Sequence, residues 1–236
     1  MLASPAMRRS ATILGLAALL LAAPAPAHAA TLTLDRGCYL ARQPGLPNGQ
    51  TIAVRGAGYT PGAQVSFALG ATALGALTAD AAGAVAGQFQ APSLAAEQFR
   101  STRTLTAREG ANQGAATVEL RRLAADFLPS SGNPLRLRVR FFVYGFGPLL
   151  TAQRLPTAQP VYEHVLDPAG RRRATFYAGR TTGPCGDLRT TVRRILPFRT
   201  VASGRWRFVF TTKPRYSSRS VPAASVGFIV RTVFRP

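Results

Sequence analysis

Two cysteines, Cys38 and Cys185, are the only thiols in the 236-residue chain. The N-terminal sequence predicts export, and an even number of cysteines in an exported chain favours a disulfide. A bridge between them would enclose about 146 residues, which the chain-entropy model converts to about 4–5 kcal/mol of stabilisation. We predict that this bridge joins the two halves of the protein. Two buried free thiols, or crosslinks to other chains, remain open as alternatives.

Residues suited to catalysis are few. His164 is the only histidine beyond residue 29, and one imidazole with two separated cysteines does not make a plausible zinc site. A Ser-His-Asp triad with Asp167 or Asp187 orienting His164 is formally possible, but no G-x-S-x-G motif is present. Because His164 follows Glu163 within a predicted strand, we expect an ordinary strand residue. We therefore predict no cofactor, no metal site and no enzymatic activity.

Arginine is the strongest chemical signal, since 29 Lys+Arg face 9 Asp+Glu and the net charge is +20. Guanidinium groups bind phosphate and carboxylate oxygens in bidentate geometry. We predict an anion-binding surface on the second half of the chain. Its candidate residues are Arg136, Arg138 and Arg140 on one strand face, Arg171, Arg172 and Arg173 at a hairpin, and Arg193 and Arg194 on a further segment.

The predicted partner is an anionic cell-wall polymer or another polyanion, such as lipid headgroups or extracellular nucleic acid. Sequence-specific recognition of nucleic acid is not expected, because no RNP pattern and no helix suited to the major groove are present. A compositional explanation remains equally open. Arginine outnumbers lysine 28 to 1, as a GC-rich genome would produce, and a solvated basic face also keeps sheet edges from associating.

The N-terminus has the features of a secretory signal peptide. Arg8 and Arg9 precede the uncharged run Ala11 to Ala23, and Ala27-His28-Ala29 provides small residues at a cleavage site. We place cleavage after Ala29 and predict a secreted or cell-envelope protein. The apolar run is shorter than the roughly 20 residues of a membrane span, and Arg231 interrupts the last apolar stretch. No transmembrane segment is therefore expected in the mature chain, although an uncleaved N-terminal anchor remains an alternative.

The rest of the chain divides into two predicted domains, residues 30–122 and 123–236. The first has 8 Arg and 5 acids, net +3, and the second has 18 Arg, 1 Lys and 4 acids, net +15. Each is about the size of a small domain. The segment from Pro129 to Pro134 reads as a turn or linker near the boundary.

Short alternating runs between turn signals predict an all-β fold of antiparallel sheets. In the first half these runs are Thr31–Leu34, Thr51–Arg55, Gln64–Leu69, Ala84–Phe89, Arg103–Ala107 and Ala115–Leu120. In the second half they are Leu135–Val143, Pro160–Leu166, Arg172–Tyr177, Leu188–Ile195, Arg205–Thr211 and Val226–Phe234. Leu94–Phe99 is the best helix candidate. Spacings of roughly ten residues are typical of a β-sandwich, so we predict two sandwiches.

A resemblance supports this architecture. The segment Asn48 to Ala63, with Gly56-Ala57-Gly58-Tyr59-Thr60-Pro61-Gly62 at its centre, is similar to secreted bacterial immunoglobulin-like modules. Thr181 to Thr190 and Gly204-Arg205-Trp206 resemble a family of secreted actinobacterial proteins with two Ig-like domains. The first domain is also IPT-like and, more loosely, neocarzinostatin-like in pattern. The resemblance implies fold and compartment, not activity.

Three functions follow from these observations, in decreasing order of support. The first is a secreted, non-enzymatic binding or structural module that contacts an anionic partner through the arginine-rich second domain. The second is a small-ligand carrier, which would need a deep apolar pocket in the first domain. The third is a hydrolase, which would need Glu163, His164 or Asp167 to converge in an open site. The oligomeric state and the identity of any ligand stay undetermined.

Overall fold

The computed structural model describes residues 30–231. The predicted signal peptide and its cleavage site lie outside these residues, as does the end of the last predicted strand. Within residues 30–231 the chain forms sixteen β-strands and one short helix, in an arrangement of sheets packed as sandwiches. The predicted all-β sandwich fold is confirmed. None of the described helices is long and apolar enough to cross a membrane.

The first sandwich has two sheets. Its strands are β1 (Thr31–Leu34), β2 (Cys38–Leu40), β3 (Thr51–Ala57), β4 (Gln64–Leu69), β5 (Thr72–Thr78), β6 (Val85–Gln90), β7 (Arg100–Glu109) and β8 (Asn112–Arg121). One sheet has the order β1-β3-β6 and the other β2-β8-β7-β4-β5, in which β2 runs parallel to β8. Alternating side chains of the two sheets fill the interior, for example Ile52, Phe67, Leu105 and Leu120.

The second sandwich also has two sheets. Its strands are β9 (Ala124–Leu128), β10 (Arg138–Tyr144), β11 (Pro160–Leu166), β12 (Arg172–Arg180), β13 (Leu188–Arg189), β14 (Arg193–Arg194), β15 (Gly204–Thr211) and β16 (Ala223–Val230). In one sheet, β10 pairs with β9 on one side and with β13 and β14 on the other. The other sheet has the order β12-β11-β15-β16. Trp206, Phe208 and Phe210 of β15 pack in the separate core between these sheets.

The structure departs from several of the predicted elements. Leu94–Phe99 is not helical, because Leu94 is buried in the first core as part of an irregular segment. The helix, α1, instead covers Phe146–Ala152. The strand predicted from Leu135 begins only at Arg138, and the one predicted over Leu188–Ile195 is divided into β13 and β14.

Candidate functional site

The predicted disulfide is confirmed. Cys38 of β2 and Cys185, in the turn before β13, are bonded, with their Cα atoms 5.3 Å apart. Both are buried. Because one partner lies on the first sandwich and the other on the second, the bond joins the two units beside the point where the chain passes from β8 to β9.

An ion-pair network surrounds this disulfide. Arg121 Nε donates to Asp187 Oδ2 at 2.8 Å. Arg121 Nη2 donates to Glu119 Oε2 at 3.0 Å. Arg121 is only 8% exposed, so these contacts compensate for the burial of its charge. The Glu119 carboxylate and both cysteine sulfurs lie within 4.8 Å of one another. Metals bind thiolates, however, and the disulfide leaves neither sulfur in that form.

Backbone packing holds the same junction together. The Gly147 amide of α1 donates to the Cys185 carbonyl at 2.8 Å. A Cβ atom on Gly147 would lie 2.2 Å from the Pro184 carbonyl oxygen, so glycine permits this close approach. Asp187 also accepts from the Gly145 amide at 3.2 Å. The angle between the two sandwiches is thus held by a covalent bond, an ion pair and direct backbone contact.

His164 is fully buried under the segment that follows β15. The Thr211 hydroxyl donates to the Lys213 carbonyl, so its oxygen accepts from His164 Nε2 at 3.0 Å. Nδ1 then accepts from the Thr175 hydroxyl at 2.9 Å. The Tyr216 ring packs against the imidazole at 5.4 Å. Burial lowers the pKa of His164, and both ring nitrogens are engaged structurally.

The two acids considered for catalysis have structural partners as well. Glu163 points from the same strand to the opposite side of the sheet, where it forms an ion pair with Arg193. Asp167 accepts from the amides of Ala169 and Arg171 at 3.0 and 2.9 Å and so caps a tight turn. These positions do not bring the three groups together in an open site, as the hydrolase hypothesis would require.

Arg193 is oriented differently from its neighbour Arg194. It is paired with Val139 in the sheet register and points into the sandwich, where its guanidinium lies 5.4 Å from the ring centres of both Phe141 and Phe176. Burial lowers its pKa to about 10, and the group remains cationic beside Glu163. Successive residues of a strand point to opposite faces, so Arg194 faces outward. Arg193 therefore does not belong to the outward-facing arginines of this sheet.

The hairpin arginines are exposed but partly neutralised. Arg171, Arg172 and Arg173 lie at the turn before β12 and at its start. Asp167 is 3.4 Å from Arg171 and 3.7 Å from Arg173. Arg172 donates to the Thr175 hydroxyl at 3.4 Å. This cluster contributes surface charge, with a carboxylate already at its centre.

The outer face of β10 brings arginines together without an ion pair among residues 30–231. Asp126 of β9 lies on the same face, as the cross-strand neighbour of Phe142. Arg138 and Arg140 point outward between the buried Val139, Phe141 and Val143. Arg194 lies directly opposite Arg138, and Arg189 lies opposite Phe142. We call Arg138, Arg140, Arg189 and Arg194 the arginine face. No carboxylate of residues 30–231 lies within ion-pair distance of any of them. Arg136 lies in the preceding exposed turn rather than in the strand.

Aromatic rings continue this face towards the first sandwich. The Arg189 guanidinium lies 5.9 Å from the centre of the Phe142 ring. The rings of Phe142 and Tyr144 are parallel within 5° at 6.5 Å, and Tyr144 and Phe99 are parallel within 5° at 5.5 Å. Burial raises the pKa of Tyr144. We call Phe99, Tyr144 and Phe142 the aromatic row; it crosses from one sandwich to the other.

Small cavities flank the aromatic row. One of about 240 Å³ is lined by Phe142 and Tyr144 together with Arg100 and Arg189. A second, of about 270 Å³, lies beside Phe99. Both are below the roughly 300–1,000 Å³ of most small-molecule sites. A larger open groove of about 760 Å³ lies on the second sandwich, between the 130–134 loop and β16. The carrier hypothesis expected a deep apolar pocket in the first sandwich instead.

No protein-family model matches the chain, and no curated protein matches it. Similar solved structures include a biofilm-associated protein BSP domain, at 12% identity over 87% of this chain and 30% of that one, with a TM-score of 0.27. A tetra-tandem repeat in the extending region of a large adhesion protein has 15% identity over 84% and 47%, with a TM-score of 0.26. Bovine butyrophilin has 10% identity over 88% and 100%, with a TM-score of 0.29. The chain spans less than half the length of the first two.

Sequence reasoning found part of the face. The alternation of β10 places Arg138 and Arg140 on one strand face, as predicted, and Phe142 follows on the same face. Tyr144 was missed because the predicted strand ended one residue earlier, although it continues the alternation. Phe99 was missed because it was assigned to a helix. Arg189 carried no local signal, since only the sheet register puts it beside Phe142.

Proposed function

We propose that this protein is an exported, non-enzymatic binding or structural module that contacts a polyanion through the arginine face. In this proposal residues 30–122 and 123–236 are two domains, and the disulfide fixes their relative orientation. The observation that supports it is the absence of ion pairs from the arginine face within the described chain. Three of the four acids in the second half of the chain have cationic partners. Glu163 pairs with Arg193, Asp167 with Arg171, and Asp187 with Arg121.

Electrostatics favours an anion at this face. Arg138 and Arg194 lie directly opposite each other on adjacent antiparallel strands, where like charges are destabilising. Asp126, opposite Phe142, is the one acid in the β9, β10, β13 and β14 segments. A bound phosphate or carboxylate group would relieve this repulsion and accept bidentate hydrogen bonds.

The disulfide supports export. Disulfides persist in oxidising compartments and are rare in the cytosol, and this one is buried at the junction. Together with the predicted signal peptide, it supports a polyanion outside the cytoplasm as the partner. Anionic wall polymers, lipid headgroups and extracellular nucleic acid share the phosphate or carboxylate chemistry that the face would bind.

The test is a salt-dependent binding measurement on the exported protein with its disulfide intact. Fluorescence anisotropy with labelled polyphosphate should give a linear fall of log K against log salt concentration, as expected when counterions are released. Replacing Arg138 and Arg140 by Gln should reduce this slope by about 1.4–1.8, or 0.7–0.9 for each arginine.

The matched control replaces Arg55 and Arg108 by Gln. Both are exposed arginines of the first sandwich, so the control has the same net charge as the test variant. It should bind nearly as the wild type does. Equal losses in both variants would mean that net charge alone drives association, and the compositional explanation would then replace the proposed site.

A further inference from the structure

We infer that the polyanion recognised at this site is a single-stranded nucleic acid, with phosphates on the arginine face and bases stacked against the aromatic row. The inference rests on the proposed function, because it uses the same arginines. It adds one class of ligand and one further recognition element, the rings of Phe142 and Tyr144.

The cationic and the aromatic side chains lie in a row along the outer face of β10. Outward residues of a strand are about 6.8 Å apart, at twice the rise per residue. Along β10 they follow the order Arg138, Arg140, Phe142, Tyr144, so two cations are succeeded by two rings. Proteins that bind single strands without sequence preference combine a basic track for the backbone with aromatic platforms for the bases. The outer face of β10 presents both on one strand.

The cavity beside the rings suits one base. Phe142 and Tyr144 form part of its wall, and Arg100 and Arg189 bring positive charge to its edge. Asp187 also lines it, but this carboxylate is paired with Arg121. Its volume of about 240 Å³ is below that of a typical small-molecule site, so it admits one flat ring rather than a whole drug-sized ligand. Arg guanidinium planes and aromatic rings both stack on exposed bases.

The platform is held in place before any ligand binds. Tyr144 stacks on Phe99 of the first sandwich, and Phe142 lies under the Arg189 guanidinium. The disulfide and the ion pair of Arg121 with Asp187 hold the two sandwiches together at this point. Preorganisation lowers the entropy lost on binding.

Other polyanions match only part of this surface. Polyphosphate offers charge without a planar group. A duplex keeps its bases stacked inside, where rings standing on a sheet face cannot reach them. An acidic polysaccharide offers saturated rings, which lack the π-face that every base presents to an aromatic side chain.

The experiment compares four probes by anisotropy on the exported protein. These are a 12-nucleotide mixed-sequence single-stranded DNA, the same sequence as a duplex, a polyphosphate of equal charge and a polygalacturonate of equal charge. The single strand should bind at least about tenfold more tightly than polyphosphate. Phe142→Leu and Tyr144→Leu should each weaken single-strand binding about 5- to 100-fold and leave polyphosphate binding unchanged.

Tyr177→Leu is the matched control, because Tyr177 is a 59% exposed aromatic residue on the other sheet of the same sandwich. It should change neither affinity. Ultraviolet crosslinking of the wild-type complex, followed by peptide mass spectrometry, should place bases at residues 142–144. This readout does not depend on the variants being folded.

The outcomes separate the two proposals. Equal affinity for single strand and polyphosphate, with no effect of the aromatic variants, would overturn the inference and leave the proposed function standing. Tighter binding of polygalacturonate or duplex than of the single strand would also overturn it. Failure of every probe to bind would refute both proposals.

Discussion

Replacing Arg193 by Met should destabilise the second sandwich strongly. Its partner Glu163 is 1% exposed, so removal of the guanidinium leaves a buried carboxylate without a counter-ion. Breaking a buried ion pair by removing one partner costs about 3–5 kcal/mol. We expect about 3 kcal/mol, at the lower end, because the Arg193 side chain is 24% exposed and Met retains part of its packing between Phe141 and Phe176.

The double variant Glu163→Leu with Arg193→Met should behave differently. It removes both charges and their desolvation, and such exchanges are often neutral or stabilising. Its stability should therefore lie near that of the wild type, far above the sum of the single effects. A double-mutant cycle with Glu163→Leu alone gives the coupling energy between the two side chains.

Urea unfolding followed by tryptophan fluorescence is a suitable assay, because Trp206 is the one tryptophan and is buried in the same core. For a domain of this size, a loss of 3 kcal/mol corresponds to a fall in Tm of roughly 10–20 °C. The control is Arg194→Met, since the neighbouring arginine faces outward and should change stability by less than about 0.5 kcal/mol. A loss below about 1 kcal/mol in Arg193→Met would show that Glu163 and Arg193 contribute no more than an exposed ion pair does.

Three further outcomes are expected. Replacing Cys38 and Cys185 by Ser should lower the free energy of unfolding by about 2–4 kcal/mol, and an unchanged urea midpoint would contradict the role given to the bridge. Burial lowers the pKa of His164, so on acidification the unfolded chain takes up a proton on this imidazole before the folded protein does. The contribution of neutral His164 to the free energy of unfolding should therefore be fully present above about pH 6.5 and decrease as the pH falls below that value. In His164→Gln this part of the pH dependence of the urea midpoint should vanish. Gly147→Ala should cost about 1–3 kcal/mol through a clash with the facing turn, whereas Gly37→Ala, with open space at its Cβ position, should unfold at nearly the wild-type urea concentration.

Alternation in the sequence predicted most strands. Gln64–Leu69 and Pro160–Leu166 were predicted with the ends that β4 and β11 have in the structure. Gln64–Leu69 places apolar residues at every second position, and a sheet with one covered face selects that pattern. Pro160–Leu166 alternates less regularly, because Glu163 and His164 are also buried there. Composition also predicted the disulfide, because only two cysteines are present to pair, but free thiols and crosslinks to other chains stayed open until the structure showed the bond.

Elements without that pattern were missed. β5 (Thr72–Thr78) has no fully buried residue, so it carries no periodic signal, and its partner β4 determines its conformation. The helix α1 is short and begins after Gly145, which adopts a positive φ of 78°. Its position depends on contact with the turn around Cys185 rather than on helix propensity.

The amino-acid sequence contains the excess of positive charge, and its pattern predicted which side chains share a strand face and a bond between the two cysteines. The packing of the sheets selected which charged side chains a second sheet covers. That choice placed Arg193 inside, beside Glu163, and left Arg194 outside on the arginine face. The packing of the sheets also brings Phe99 into a stack with Tyr144, although the two residues are 45 positions apart in the sequence. The physical reason is that periodicity is local, whereas burial and ion pairing depend on segments distant in sequence that meet only when the sheets pack.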